Sequence, residues 1–69
     1  MENIATIAFS DHESGDEGIV IVRAAPGTLA LALSLRKDGD MEVFLGLEEC
    51  EKLTNALGRA ITIVKGTSP

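Results

Sequence analysis

The sequence has few residues that could cross-link a small domain. Of its 69 residues, one is cysteine, Cys50, and one is histidine, His12. A lone cysteine cannot form a disulfide within the chain, and a single histidine far from Cys50 gives a poor start for a structural metal site. Domains of this size bury only about 60% of the surface of the unfolded chain, and they commonly depend on disulfides, metals or self-association. We therefore expect self-association, with no cofactor and no metal.

Aromatic residues and positive charge are also scarce. Phe9 and Phe44 are the only aromatic residues, so aliphatic side chains must form the core. The formal net charge of -5 argues against broad electrostatic capture of nucleic acid or of an anionic membrane. The longest apolar run, from Thr28 to Leu35, is far shorter than the roughly 20 residues of a membrane span. The start of the chain lacks the pattern of a secretion signal, so we expect an acidic, cytoplasmic protein without membrane contact.

The hydrophobic pattern predicts a single domain over residues 1–69, of class α+β. Alternating and β-branched residues predict strands at about 3–9, 18–25, 28–36 and 40–45, and a helical pattern follows at about 47–65. Short glycine-containing turns between the later strands predict antiparallel neighbours. We expect a four-stranded antiparallel meander followed by one C-terminal helix packed on one sheet face (ββββα), in a dimer.

The helix has one apolar stripe, roughly 160° wide at about 100° per residue. This stripe consists of Cys50, Leu53, Ala56, Leu57, Ala60, Ile61 and Val64. Gly46 is the expected N-cap, and Glu48 and Glu49 suit the positive end of the helix dipole. One stripe of this width can cover one side of a sheet.

The strands are apolar on both faces. With a two-residue Pro26-Gly27 loop, one face, which we name the leucine face, contains Val20, Val22, Ala24, Leu29, Leu31, Leu33, Leu35, Met41, Val43 and Leu45. The opposite face, named the second face, contains Ile19, Ile21, Arg23, Ala30, Ala32, Ser34, Arg36, Glu42 and Phe44. One more residue in the Pro26-Gly27 loop would exchange the two faces of the second strand.

The turn between the third and fourth strands has two interpretations. A two-residue Asp38-Gly39 loop would place Leu35 opposite Glu42, which is a poor pair. A three-residue loop over 37–39, with Gly39 in the left-handed region, places Leu35 opposite Met41 and leaves Arg36 facing Asp40. The second interpretation is favoured because it pairs apolar side chains.

A single helix cannot cover both apolar faces, so another molecule must cover what remains. This shortage predicts a non-enzymatic homodimeric binding module with a regulatory role, which uses the second face to bind a protein partner. The candidate binding residues are Ile21, Arg23, Ala32, Arg36, Lys37 and Phe44. The arginines could contact phosphates while Phe44 stacks on a base, or they could form ion pairs at the sheet margin, and the second interpretation is favoured.

The remaining polar features favour structural interpretations. The acidic loop over 11–17 could hold a cation, but its spacing matches no calcium loop, and a solvated loop is favoured. Cys50 could be a nucleophile at a helix start, but it lies on the apolar stripe between two glutamates, which favours an inert thiol. We therefore predict no catalytic residues and no metal ligands.

The strand–helix junction carries a family resemblance. Four strands lead into a long C-terminal helix through Leu45-Gly46-Leu47-Glu48-Glu49-Cys50-Glu51-Lys52-Leu53. This arrangement resembles the positive-cofactor-four-like transcriptional coactivators. The resemblance implies a dimer whose curved sheets bind single-stranded DNA, and it points to Arg23, Arg36, Lys37 and Phe44 as contact positions. Single-stranded nucleic-acid binding is thus the alternative function.

Overall fold

A computed structural model describes residues 1–66, and residues 67–69 of the predicted domain lie outside the described part. Four strands, β1 (Glu2–Ser10), β2 (Glu17–Ala25), β3 (Thr28–Leu35) and β4 (Gly39–Leu45), precede one helix, α1 (Leu47–Val64). The strands form one sheet in the order β1-β2-β3-β4, and all neighbours are antiparallel. The predicted α+β class, with a four-stranded meander followed by a C-terminal helix, is confirmed.

The turn between β2 and β3 has the predicted length. Ala25 pairs with Thr28 across the two residues Pro26 and Gly27, and Gly27 has a φ of +81°. Glycine adopts this positive φ without a steric penalty, which makes the tight turn accessible. Val22 consequently lies opposite Leu31, so the predicted face assignment of β2 is confirmed.

The predicted register of β3 and β4 is wrong by two residues. Leu35 pairs with Gly39 and Leu33 pairs with Met41, so the turn comprises residues 36–38. Arg36 does not face Asp40, because its backbone N–H instead donates to the Glu17 carbonyl at 3.0 Å. Side chains alternate with a period of two, so a shift of two residues keeps every side chain on its predicted face.

Strand β1 pairs with β2 of the same chain along its whole length. Its register adds Ala5, Ile7 and Phe9 to the leucine face, opposite Val22, Val20 and Gly18 respectively. At the start of the strand, Glu2 pairs with Ala24 of the same face. The pairing is interrupted by an irregularity between Asn3 and Ala5. A bulge of this kind twists an edge strand and reduces its capacity to pair with another chain.

Helix α1 begins as the sequence predicts. Gly46 is the N-cap, and its backbone N–H donates to the Glu49 carboxylate at 3.1 Å. The helix contacts the sheet at β3 and β4, but none of its residues is buried. Cys50 and Leu53 are half-buried, whereas Leu57 is 54% exposed and Val64 is 84% exposed. The apolar stripe therefore covers the sheet only in part.

Within the described residues, no helix is both long and apolar enough to cross a lipid bilayer.

The chain forms a thin plate with almost no interior. Its Cα atoms extend over 35 × 35 × 16 Å, and Ala30 is the only apolar residue of the described part that is buried. The accessible surface is 5575 Å², whereas a compact monomer of 7.3 kDa exposes about 4,200 Å². The Cα radius of gyration is 13.7 Å, against about 11 Å for a compact chain of this length. Both quantities describe a fold that is less compact than an ordinary monomer of this size.

Candidate binding face

Four of the six candidate residues lie together on the second face. Ile21 of β2 is directly opposite Ala32 of β3. In the next row on this face, Ala30 pairs with Arg23 on one side and with Phe44 on the other. Because adjacent strands lie about 4.8 Å apart, these two rows form one continuous patch across β2, β3 and β4.

Within this patch the aromatic ring is more exposed than its apolar neighbours. Phe44 is 61% exposed, whereas Ile21 and Ala32 are half-buried and Ala30 is completely covered. An exposed ring beside small, covered residues gives a surface that a partner can approach closely. The patch is therefore suited to packing against side chains of a partner molecule.

An ion pair crosses the patch. Arg23 donates from its guanidinium to the carboxylate of Glu42, and the two residues belong to β2 and β4, on opposite sides of β3. The side chains are 41% and 35% exposed. Ala30 and Ala32 lie between them on β3 and leave room for the arginine to span the central strand. Sequence reasoning missed this pair, although the two small residues of β3 are the signal that could have revealed it.

Arg36 and Lys37 lie apart from the patch, in the turn between β3 and β4. The Arg36 guanidinium pairs with the Glu17 carboxylate at 3.0 Å, and both side chains are mostly exposed. An exposed pair of this kind contributes little stability. The backbone N–H of Lys37 donates to the carboxylate of Asp16 at 3.0 Å. The turn is thus anchored to the loop between β1 and β2.

Two shallow depressions run along the second face. The larger, about 630 Å³, is lined in part by Ile21, Arg23 and Ala32, and the smaller, about 530 Å³, is lined in part by Arg36. Ile19 and Ser34 belong to both, so the depressions adjoin. Phe44 and Lys37 lie outside these two linings. Three of the candidate residues thus line one shallow depression, and Arg36 lines the adjoining one.

The acidic loop is organised by its own hydrogen bonds. The Asp11 carboxylate accepts from the backbone N–H groups of Ser14 at 2.9 Å and Glu13 at 2.8 Å. These bonds, that of Ser14 first, lower the pKa of Asp11 below its ordinary value. Within residues 1–66, no group of three or more His, Cys, Asp or Glu side chains has an arrangement that could hold a metal ion.

Asp16 is the residue of this loop that sequence reasoning did not single out. It is only 7% exposed, and its carboxylate accepts the Lys37 N–H across 21 residues of sequence. Its backbone carbonyl also accepts from the Asp11 N–H at 2.8 Å. Nothing in the local pattern distinguishes Asp16 from the neighbouring acids, because its partner comes from a distant turn.

No protein-family model matches this chain, and no curated protein or solved structure is significantly similar to it.

Proposed function

We propose that this chain is a small, cytoplasmic, non-enzymatic binding module that acts as a homodimer and presents its second face to a protein partner. The observation that carries the proposal is the uncovered surface. The chain exposes about 1,400 Å² more than a compact protein of its mass. Obligate dimers bury at least about 1,000 Å² per copy, so this excess is of the size that a second copy would remove.

The alternative remedies for a small domain do not compete with this explanation. Cys50 is a free, half-buried thiol, and the described residues contain no metal-binding cluster. Among the apolar residues of 1–66, only Ala30 is fully buried, so a single chain gains less from the hydrophobic effect than a domain with a closed core. A second copy is the simplest source of the missing contacts.

Sedimentation equilibrium tests the proposal directly. We expect a species of twice the 7.3 kDa chain mass at micromolar concentration, with folded signal that declines as the dimer is diluted. A folded monomer that persists throughout this range contradicts the homodimer.

A second candidate function is single-stranded nucleic-acid binding. It is favoured by the exposed ring of Phe44, which shares a row with Arg23 on the second face, because exposed aromatic rings on a sheet can stack on bases. Arg23 and Arg36 each already pair with a carboxylate, and the net charge is -5, so the first candidate is favoured.

Fluorescence anisotropy with labelled oligonucleotides separates the two candidates. Nucleic-acid binding predicts affinity that falls with added salt and is lost in Phe44→Ala. Absence of binding at low ionic strength removes this second candidate and leaves the homodimer unaffected.

A further inference from the structure

We infer that the second copy covers the leucine face together with the apolar stripe of α1, and leaves the second face open. The inference rests on the proposed homodimer and specifies its interface. It assigns opposite roles to the two sides of one sheet, self-association on one side and partner binding on the other.

The first observation is where the exposed apolar side chains lie. Four large apolar residues of the leucine face are between 41% and 63% exposed: Ile7, Leu33, Met41 and Val43. Three large residues of the stripe are exposed as well: Leu57, Ile61 and Val64. On the second face, Phe44 is the one large apolar side chain of the paired residues that is mostly exposed. Seven of the twelve exposed large apolar residues of the described part therefore lie on the leucine face or the stripe, against one on the paired positions of the second face.

The second observation is where the charges lie. Every residue that β2, β3 and β4 contribute to the leucine face is apolar. The second face carries Arg23, Asp40 and Glu42 on the same three strands. The cores of protein interfaces are depleted of charged residues, and those of obligate dimers resemble a domain interior. By this criterion the part of the leucine face on β2, β3 and β4 has the composition of an interface core, whereas Glu2 at the start of β1 lies at its margin, opposite Ala24.

A two-fold axis explains how one surface can provide both halves of the contact. In an isologous dimer the same patch on each copy meets its counterpart, so the leucine face and stripe of one copy would cover those of the other. The excess exposure of about 1,400 Å² per chain is enough for such an interface. A substitution in this patch is present twice in the dimer, which amplifies its effect.

Strand β4 offers a matched pair of variants. Met41 and Phe44 are 63% and 61% exposed, and they point to the leucine face and the second face respectively. We expect Met41→Glu to raise the dimer dissociation constant at least about 100-fold, because each copy places a carboxylate in an apolar interface. We expect Phe44→Glu to change it by no more than about threefold. Sedimentation equilibrium gives both constants.

The outcomes separate this inference from the proposed homodimer. A wild-type dimer that Phe44→Glu dissociates and Met41→Glu does not would overturn the interface but keep the dimer. A wild-type protein that is monomeric and folded would overturn both. Equal, small effects of the two variants would also overturn the interface, since neither face would then be its core.

A measurement on the wild-type chain covers the case in which Met41→Glu fails to fold. In a dimer made from one labelled and one unlabelled copy, isotope-filtered NMR detects contacts between chains only. We expect contacts from the Met41 methyl group to the partner, with none from the Phe44 ring. Contacts centred on Phe44, or a pattern of paired β4 backbones in a continuous sheet, would overturn the inference.

Discussion

Single residues decide how the two faces of the sheet differ. Alanines at positions 30 and 32 let Arg23 reach Glu42 across the central strand, so charge is held on the second face. Leucines at the alternate positions of β3 keep the centre of the opposite face free of charge. Strand β3 thus presents small side chains that the Arg23–Glu42 ion pair crosses on one side, and an apolar surface on the other.

Asp16 is expected to contribute most of the stability of the loop between β1 and β2. Its buried carboxylate accepts the Lys37 N–H at 3.0 Å, so Asp16→Ala leaves that donor without its partner and should cost about 1–3 kcal/mol. Asp16→Asn retains an acceptor oxygen and should cost less. The exposed Asp38 of the connected turn is the control, and Asp38→Ala should stay within about 0.5 kcal/mol. Urea unfolding at one fixed protein concentration measures all three, and equal midpoints for Asp16→Ala and Asp38→Ala would contradict the assignment.

The Asp11 carboxylate should make the stability depend on pH at the acid end. Its pKa is lowered by the N–H groups of Ser14 and Glu13, so the folded chain holds the charged form more strongly than the unfolded chain does. The resulting stability is present above the ordinary pKa of 3.8 and is lost as the pH falls through the lower folded value. We expect the stability difference between wild type and Asp11→Ala to shrink in this window, as followed by urea midpoints at several pH values. A difference that stays constant would contradict it.

At the scale of elements, the sequence pattern predicted the features that depend on residues close together in the chain. Period-two alternation identified β3, glycine at position 27 gave the two-residue turn, and helical spacing with Gly46 gave the start of α1. The register of β4 could not be read in this way. The turn over 36–38 is anchored by Glu17 and Asp16, which lie about twenty residues earlier in the chain. The prediction compared apolar pairs between β3 and β4 only, so it could not include the contacts that Asp16 and Glu17 make with the turn.

Two glycines in different elements should respond to alanine with opposite signs. A Cβ at Gly18 of β2 would lie 2.7 Å from the Phe9 ring and 2.8 Å from the Ser34 carbonyl oxygen, and that oxygen belongs to backbone. Gly18→Ala should therefore cost about 1–3 kcal/mol. A Cβ at Gly58 of α1 meets no atom within 4 Å, so Gly58→Ala should stabilise by up to about 1 kcal/mol through helix propensity. Urea unfolding at a matched protein concentration compares them. A Gly18→Ala variant at least as stable as wild type would contradict the packing around Gly18, and a destabilised Gly58→Ala variant would contradict the open position on α1.

At the scale of the whole molecule, the sequence predicted that one helix cannot cover both apolar faces of the sheet, but it did not predict which apolar residues stay exposed. The pattern gives the width of the α1 stripe, and hence the conclusion that one helix cannot cover two apolar faces. It does not give the position of the helix on the sheet. In the structure Leu57 and Ile61 of the stripe are exposed, and so are Leu33, Met41 and Val43 of the leucine face. The candidate residues of the second face were identified because alternation along a strand fixes which side chains share a face. The positions of Arg36 and Lys37 depend instead on the turn between β3 and β4, which the sequence pattern did not locate correctly.

The homodimer makes thermal stability depend on protein concentration. For a dimer that unfolds to two separate chains, each tenfold rise in concentration favours the folded state by about 1.4 kcal/mol per dimer. With the usual unfolding entropy for two chains of 69 residues, this corresponds to a rise in Tm of roughly 5 °C. Circular dichroism melts over two decades of concentration measure the shift, and Met41→Glu provides the comparison, because a chain unable to associate would melt independently of concentration or be unfolded throughout. A wild-type Tm that does not change with concentration would show that single chains fold alone, despite the exposed leucine face.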